Sequence, residues 1–161
     1  MDRLWSPWRY RYVSQATPED ACIFCLKSGE ANDEANLILH RGTHNFVLLN
    51  LYPYTTGHLM IAPYAHVAQL EELESAAAAE LMQLTQRAVR HIRSVYRPHG
   101  LNVGMNLGEC AGAGIAGHLH MHVLPRWPGD ANFMTTIGET RVMPEELPET
   151  WRRLRSAFQA G

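Results

Sequence analysis

Three histidines alternate with large apolar residues in one short stretch, and this pattern constrains the fold more than any other feature of the chain. Residues 118–124 read His-Leu-His-Met-His-Val-Leu. Because side chains of a strand point alternately to its two faces, the pattern predicts a half-buried strand with three imidazoles on one face. Imidazole titrates near neutral pH, so such a row can supply a nucleophile, proton relays or metal ligands. The alternative is a surface strand that happens to carry polar histidines.

A run of small residues precedes the histidines. Residues 111–117 read Ala-Gly-Ala-Gly-Ile-Ala-Gly. Small residues let a ligand approach backbone N–H groups closely, as in loops that bind phosphate. A flexible turn is the alternative interpretation, and the neighbouring histidines favour a phosphate-binding loop that includes Gly112, Ala113 and Gly114.

The rest of the chain predicts an α+β fold. Apolar residues recur three or four apart after residue 70, which is typical of one helical stripe, and Pro98 and Gly100 end it. The turn at Arg41-Gly42-Thr43 joins two strands into a hairpin. We expect an antiparallel sheet of about five strands, covered by a long helix and a C-terminal helix. The predicted strands are 37–40, 45–50, 58–62, 101–107 and the histidine stretch, and the predicted helices lie at 70–95, with an interruption near Ser75, and within 144–160.

Length, composition and charge limit the function classes. The 161 residues, of which 46% are hydrophobic, are enough for one domain over 1–161, with an aromatic and basic extension at 1–15 and a C-terminal extension at 130–161. The formal net charge of −2 argues against a general nucleic-acid binder. The chain has no apolar run of about 20 residues and no signal-peptide layout, so we expect a cytoplasmic protein that binds no membrane. The 1–15 segment is expected to pack on the body or to close over a ligand.

Two of the three cysteines have metal-ligand spacing. Cys22-Ile23-Phe24-Cys25 lets both thiolates reach one tetrahedral zinc ion, which then needs two further ligands. A redox dithiol and an unliganded pair lining a core are the alternatives, although no βαβ pattern surrounds the pair. Cys110 is expected to be a small residue of the glycine loop, with a reactive thiol as the alternative.

The chain resembles the histidine triad superfamily. Residues 118–124 match its signature, His-φ-His-φ-His-φ-φ with φ apolar, at all seven positions. Residues 46–50 and 56–63 resemble the family's nucleotide-binding strands, and the likeness covers roughly residues 20 to 130. The opening Leu-Trp-Ser-Pro-Trp-Arg at 4–9 and the Pro-Arg-Trp at 125–127 are similar to the branch that contains bacterial diadenosine tetraphosphate phosphorylases and related dinucleoside polyphosphate hydrolases.

The resemblance implies a covalent mechanism. Neutral imidazole can attack a phosphoanhydride, provided that an acceptor such as a backbone carbonyl holds the proton on its other nitrogen. The family assigns the attack to the middle histidine, here His120. His122 then bonds a phosphate oxygen or the leaving group, and His58, from the facing strand, is expected to support it.

The resemblance also implies nucleotide contacts and a metal site. Asn50 is expected to contact ribose, with a turn-forming role as the alternative, and Asn106 and the backbone after Gly112 to contact phosphates. Arg126 and Trp127 would meet distal phosphates and stack a second base, or pack at the rim. Relatives that include galactose-1-phosphate uridylyltransferases imply a structural zinc ion with four ligands: Cys22, Cys25, His66 and His118.

The predicted function is cleavage of a dinucleoside polyphosphate, of the diadenosine tetra- or triphosphate type, by hydrolysis or phosphorolysis. Inorganic phosphate is a possible co-substrate, but the lack of a hydroxyl residue near Gly114 makes phosphorolysis doubtful. The alternatives are a nucleotide-binding regulatory or scaffold protein and a hydrolase of nucleoside phosphoramidates. The family resemblance further implies a homodimer joined across residues 76–107, for which the small residues 76–79 and an edge strand offer weak support.

Overall fold

A five-stranded antiparallel sheet forms the centre of the molecule. The computed structural model describes residues 22–138, 140 and 142–160, so the predicted extension at 1–15 lies outside the described residues. The strands run in the order β1-β2-β3-β5-β4, which confirms the predicted α+β class. Their bounds are β1 Ile38–Arg41, β2 Asn45–Leu49, β3 Leu59–Pro63, β4 Gly100–Met105 and β5 Met121–Arg126.

Within the described residues, four helices accompany the sheet. They are α1 Ile23–Gly29, α2 Ser75–Tyr96, α3 Phe133–Thr136 and α4 Leu147–Ala160. A short 3-10 turn at Leu70–Glu72 precedes α2, so the predicted interruption near Ser75 is confirmed. Within the described part of the chain, no helix has the length and apolarity needed to cross a bilayer.

The two faces of the sheet carry different cores. One face, which we call the helix face, packs against α2 and α4 through residues such as Val47, Ile61 and Val123. The opposite face, which we call the histidine face, carries a smaller apolar cluster of Ile38, Phe46, Leu48, Met60 and Ala62, covered by Phe24 of α1. The strict alternation of strand side chains produces this division. The apolar residues between the three histidines therefore lie in the main core, as predicted.

The histidine strand begins later than the sequence predicts. Regular pairing with β3 and β4 starts at Met121, so His118 and His120 precede the strand rather than belonging to it. The reason is that the Leu119 N–H donates to the carbonyl of Val67, 2.7 Å away, in the loop that follows β3. The alternation of side chains nevertheless continues through residues 118–120, because Leu119 is buried in the main core.

The two edges of the sheet differ. At the β1 edge, Trp151 Nε1 of α4 donates to the Ile38 carbonyl (3.0 Å) and Arg155 Nη1 to the Leu39 carbonyl (2.6 Å). The C-terminal helix thus covers this edge. At the other edge, Asn102, Val103 and Gly104 of β4 are exposed.

The predicted small-residue surface of α2 needs a correction. Of residues 76–79, Ala77 is buried in the main core and Ala78 packs against that core. Only Ala76 and Ala79 remain exposed, because the helical stripe that faces the sheet passes through the middle of the alanine run.

Candidate active site

The three imidazoles of the signature lie side by side and are buried. The exposed fractions of His118, His120 and His122 are 1%, 6% and 9%. The ring centroids of His120 and His122 are 4.8 Å apart, and that of Phe24 lies 4.9 Å from His120. The chance surface strand is therefore excluded, and the row is shielded rather than openly exposed.

His120 has the hydrogen bond that a nucleophilic imidazole needs. Its Nδ1 lies 2.8 Å from the carbonyl oxygen of His118. A carbonyl only accepts, so Nδ1 carries the proton and Nε2 keeps its lone pair. Burial also lowers the pKa of His120, which favours the neutral ring.

A chain of hydrogen bonds fixes the tautomer of His122. The Tyr54 N–H donates to His58 Nδ1 (3.2 Å), and the Asn50 amide nitrogen lies 3.4 Å from the same atom. His58 Nδ1 is therefore the acceptor, and His58 Nε2 donates to His122 Nδ1 over 2.9 Å. The remaining proton of neutral His122 is thus on Nε2. Burial, aided by repulsion from His120, lowers the pKa of His122 to about 4.

This series of hydrogen bonds explains how His58 supports His122 of the signature. His58 immediately precedes β3, whose Met60 pairs with His122, so the two imidazoles reach each other from neighbouring strands rather than from facing ones. The carbonyl of His58 also accepts from the Asn50 N–H (3.0 Å), which extends the pairing of β2 with β3 to these residues.

The four predicted metal ligands come together at the opposite end of the row. His118 Nδ1 lies 3.2 Å from Cys22 Sγ and 3.3 Å from His66 Nδ1, and Cys25 Sγ lies 3.4 Å from His66 Nδ1. All four ligand atoms are within 4.8 Å of one another. Zinc bonds of about 2.0–2.3 Å place tetrahedral ligand atoms roughly 3.3–3.8 Å apart.

The chemistry of these donors also fits a metal ion. His118 Nε2 lies 2.9 Å from the Pro63 carbonyl, so it carries the ring proton and the lone pair of Nδ1 faces the cluster. A carbonyl behind a ligating imidazole is the usual arrangement in metal sites. The same residue offers its ring to the cluster and its own carbonyl to His120.

Sequence reasoning did not identify Phe24 as part of the site. Its ring is 1% exposed and lies 5.1 Å from His118 and 4.9 Å from His120, between centroids. Its position between Cys22 and Cys25 is the signal that could have found it. A metal ion held by these cysteines would fix α1, and with it this ring, against the histidine row.

The predicted phosphate loop follows β4 and precedes the row in sequence. Asn106 comes directly after Met105, which forms the last pair of the β4–β5 ladder, with Met121. The Asn106 amide donates to the Gly112 carbonyl (3.4 Å), and the N–H of Ala113 donates to Gly108 (3.3 Å). Gly112 has φ +93°, a conformation that favours glycine. The contacts of Asn106, Gly112, Ala113 and Gly114 with a nucleotide stay predictions.

The remaining predicted residues lie outside the row. Asn50 Oδ1 accepts from the Tyr52 N–H (3.0 Å), so Asn50 does form a local turn as well as meeting His58. The ring of Trp127 meets Tyr96 of α2 edge-on, with centroids 6.5 Å apart, and Arg126 is ion-paired with Asp130. Cys110 is exposed, as a residue of the loop rather than of the metal cluster.

Several known proteins resemble this chain in sequence. The family model of the HIT domain matches residues 31–129. The AP-4-A phosphorylase of Mycobacterium tuberculosis strain H37Rv is 47% identical, over 98% of this chain and 85% of that protein. Protein hit of Bacillus subtilis is 31% identical over 78% of this chain and 86% of its own length.

A solved structure shares the same fold. The Zn-bound histidine triad family protein of Mycobacterium smegmatis superposes with a TM-score of 0.69 at 28% identity, over 87% of this chain and 94% of that one. The histidine row, the sheet that carries it and the matched residues lead to one conclusion. The chain belongs to the HIT domain family.

Proposed function

We propose that this protein cleaves a dinucleoside polyphosphate of the diadenosine tetraphosphate type at its α-phosphate, through a nucleotide bound covalently to His120. The observation that carries the proposal is the hydrogen bond from His120 Nδ1 to the His118 carbonyl, which leaves the lone pair of the ring on Nε2. The 47% identity to a protein named AP-4-A phosphorylase supports the substrate class.

The first half-reaction uses the Nε2 atoms of His120 and His122. His120 Nε2 forms a bond to the α-phosphorus, and the bond from that phosphorus to the bridging oxygen breaks, with its electron pair leaving on the second nucleotide. The His122 Nε2–H stabilises the charge on the phosphate oxygens by a hydrogen bond. The His118 carbonyl stabilises the positive charge that develops on the His120 ring.

In the second half-reaction an oxygen nucleophile attacks the same phosphorus, and the nitrogen–phosphorus bond breaks. The electron pair returns to His120 Nε2, and the proton of the attacking molecule passes to solvent. Water gives a nucleoside monophosphate, whereas inorganic phosphate gives a nucleoside diphosphate. The name of the AP-4-A phosphorylase relative favours inorganic phosphate as the attacking molecule. The absence of a hydroxyl residue in the loop at 111–117 favours water as the attacking molecule.

His120→Asn tests the proposal. The substitution removes the attacking lone pair with little change in volume, so turnover should fall by several orders of magnitude while nucleotide binding persists. Intact-mass analysis of the parent, quenched without acid during a single turnover, should detect a nucleotide on His120. Turnover by His120→Asn within about tenfold of the parent would contradict the covalent mechanism. Identifying the products formed with and without inorganic phosphate shows whether water or phosphate accepts the nucleotide from His120.

We further propose that the ion held by Cys22, Cys25, His66 and His118 is a structural zinc. The donor set, two thiolates and two imidazoles, is the one that structural zinc prefers. The Zn-bound histidine triad protein of Mycobacterium smegmatis supports this choice. Four protein ligands fill a tetrahedral shell, so the ion's contribution is to hold α1 and the segment before β5 together.

The exposed edge of β4 supports a homodimer as the working form. The edge strands of a sheet are normally covered, because their outer backbone groups would otherwise lack partners. The C-terminal helix lies on the β1 edge, which is the edge opposite β4. A two-fold axis beside β4 would pair the same strand of both chains. The three cysteines, all among the described residues, form no disulfide, which is compatible with the reducing cytoplasm, where we expect the enzyme to act.

A further inference from the structure

A cleft of about 270 Å³ opens at the end of the histidine row farthest from the metal cluster. Its lining comes from the loop before His58, from β4 and β5, and from the segment that follows β5. The lining residues are Tyr54, Thr55, Asn102, Leu124, Arg126, Asp130, Ala131 and Thr135. The reaction proposed above uses none of them.

The cleft follows His122 along β5. Leu124 and Arg126 follow His122 at alternate positions of β5, so all three lie on the histidine face. The ring of Tyr54 lies nearly parallel to that of His122, at 22° and 6.3 Å between centroids. Gly104 pairs with His122, and a Cβ there would meet no atom within 4 Å, so the space beside His122 is open.

The charges of the lining favour an uncharged ligand. Arg126 Nε and Nη2 donate to the two carboxylate oxygens of Asp130 over 2.6 and 3.0 Å, and Nη1 donates to Asn102 Oδ1 over 2.7 Å. The positive charge of Arg126 is therefore already matched by a bidentate partner. Tyr54, Leu124 and Ala131 add an aromatic and apolar wall. An aromatic, uncharged group fits this cleft better than a phosphate.

The size of the cleft suits one nucleoside. Sites for drug-sized ligands measure about 300–1,000 Å³, so a cleft slightly below that range accommodates a single base and sugar rather than a dinucleotide. One wall, formed by Asp130, Ala131 and Thr135, lies beyond the residues matched by the family model. The C-terminal segment of this chain thus supplies part of the lining.

We propose that this cleft binds the nucleoside of the leaving nucleotide and thereby selects dinucleoside polyphosphates over nucleoside polyphosphates. The proposal rests on the proposed function, because it assumes attack by His120 on the α-phosphate. The leaving group then passes His122, whose Nε2–H meets its phosphate, and its nucleoside reaches the cleft between Tyr54 and Leu124.

The test compares diadenosine tetraphosphate with adenosine 5′-tetraphosphate, which has the same phosphate chain without the second nucleoside. Thr135→Trp and Ala131→Trp fill the cleft from the C-terminal wall. We expect each to lower the ratio of the two kcat/KM values, first substrate over second, by about tenfold or more. Thr136→Trp is the matched control, since the neighbouring Thr136 is exposed and does not line the cleft. Its ratio should equal that of the parent.

Each outcome distinguishes the two proposals. An unchanged ratio in both cleft variants, with the parent active, would overturn the subsite and leave the proposed function intact. An equal fall for both substrates would also overturn it, because the variants would then act on the reaction rather than on the leaving nucleoside. Failure of the parent to cleave either substrate or to form the nucleotide on His120 would overturn the proposed function and the subsite together.

Discussion

At the scale of single residues, Phe24 connects the metal cluster with the nucleophile. Its ring contacts both His118 and His120 and fills the smaller core of the histidine face. We predict that Phe24→Leu lowers kcat by about tenfold, because the looser packing lets the His120 ring turn away from the line of attack. KM should stay close to the parent value, since Phe24 is not among the predicted nucleotide contacts.

A matched variant separates positioning from stability. Phe46 is equally buried in the same cluster, and its ring stacks on Tyr64 rather than on the histidines. Phe46→Leu should therefore lower the free energy of unfolding by a similar amount, about 1–2 kcal/mol, without the loss in kcat. Steady-state kinetics and urea unfolding of both variants check this. Equal kcat losses in the two variants would show that Phe24 acts only through stability.

The roles of single residues were partly predictable. Alternation places the three imidazoles on one face whatever the rest of the fold, so the row and its apolar counterpart followed from spacing alone. Contacts between distant parts of the chain could not be predicted from spacing. The Cys22–His118 contact joins residues 96 apart, and only the family resemblance indicated it. The role of Phe24 and the direction of the His58–His122 hydrogen bond likewise depend on contacts between separate parts of the chain, which spacing does not encode.

At the scale of elements, α4 is attached to α2 and β1 through a cluster rich in cations. Arg87 donates to the Phe158 carbonyl and lies 5.3 Å above the Phe158 ring, with His40 and His91 against the same ring. Burial and the charge of Arg87 lower the pKa of both histidines. Arg90 and Arg155 add to this effect, and Glu80 opposes it for His40.

The cluster predicts a loss of stability in acid. Both histidines have a lower pKa in the folded than in the unfolded chain, so the unfolded state binds more protons once the pH falls below about 6.5. Stability should therefore decrease as the pH falls from about 7 towards 5, and a His40→Gln, His91→Gln double variant should lose less over that range. Urea midpoints at both pH values measure the difference. An identical loss in the double variant would place the acid sensitivity elsewhere.

The metal cluster joins α1 to the segment before β5, and its removal should loosen both. We predict one zinc ion per chain in protein purified without chelators. Cys25→Ala should abolish this content and lower the melting temperature by about 5–10 °C, since each kcal/mol shifts it by about 2–4 °C in a chain of this size. Cys110→Ala, which changes an exposed thiol outside the cluster, is the control. Full zinc content in Cys25→Ala would contradict the ligand set.

The elements themselves were largely predictable, but their partners were not. Helical spacing in 144–160 predicted α4, which spans Leu147–Ala160. Its docking on β1 depends on Trp151 and Arg155 reaching carbonyls more than 110 residues away, which no local pattern encodes. For a similar reason, β5 starts later in the structure than the sequence predicts, because the Leu119 N–H donates to the Val67 carbonyl in the loop after β3.

At the scale of the whole molecule, the exposed residues of the β4 edge predict a dimer. Light scattering at micromolar concentration should give about twice the chain mass of 18.2 kDa. Val103, 47% exposed in the middle of β4, would lie near the two-fold axis, so Val103→Lys should bring two like charges together and shift the protein towards monomer. Val142→Lys, at an exposed valine of the C-terminal segment, is the matched control and should leave the mass unchanged. A parent mass equal to one chain would contradict the dimer and leave β4 as a free edge in solution.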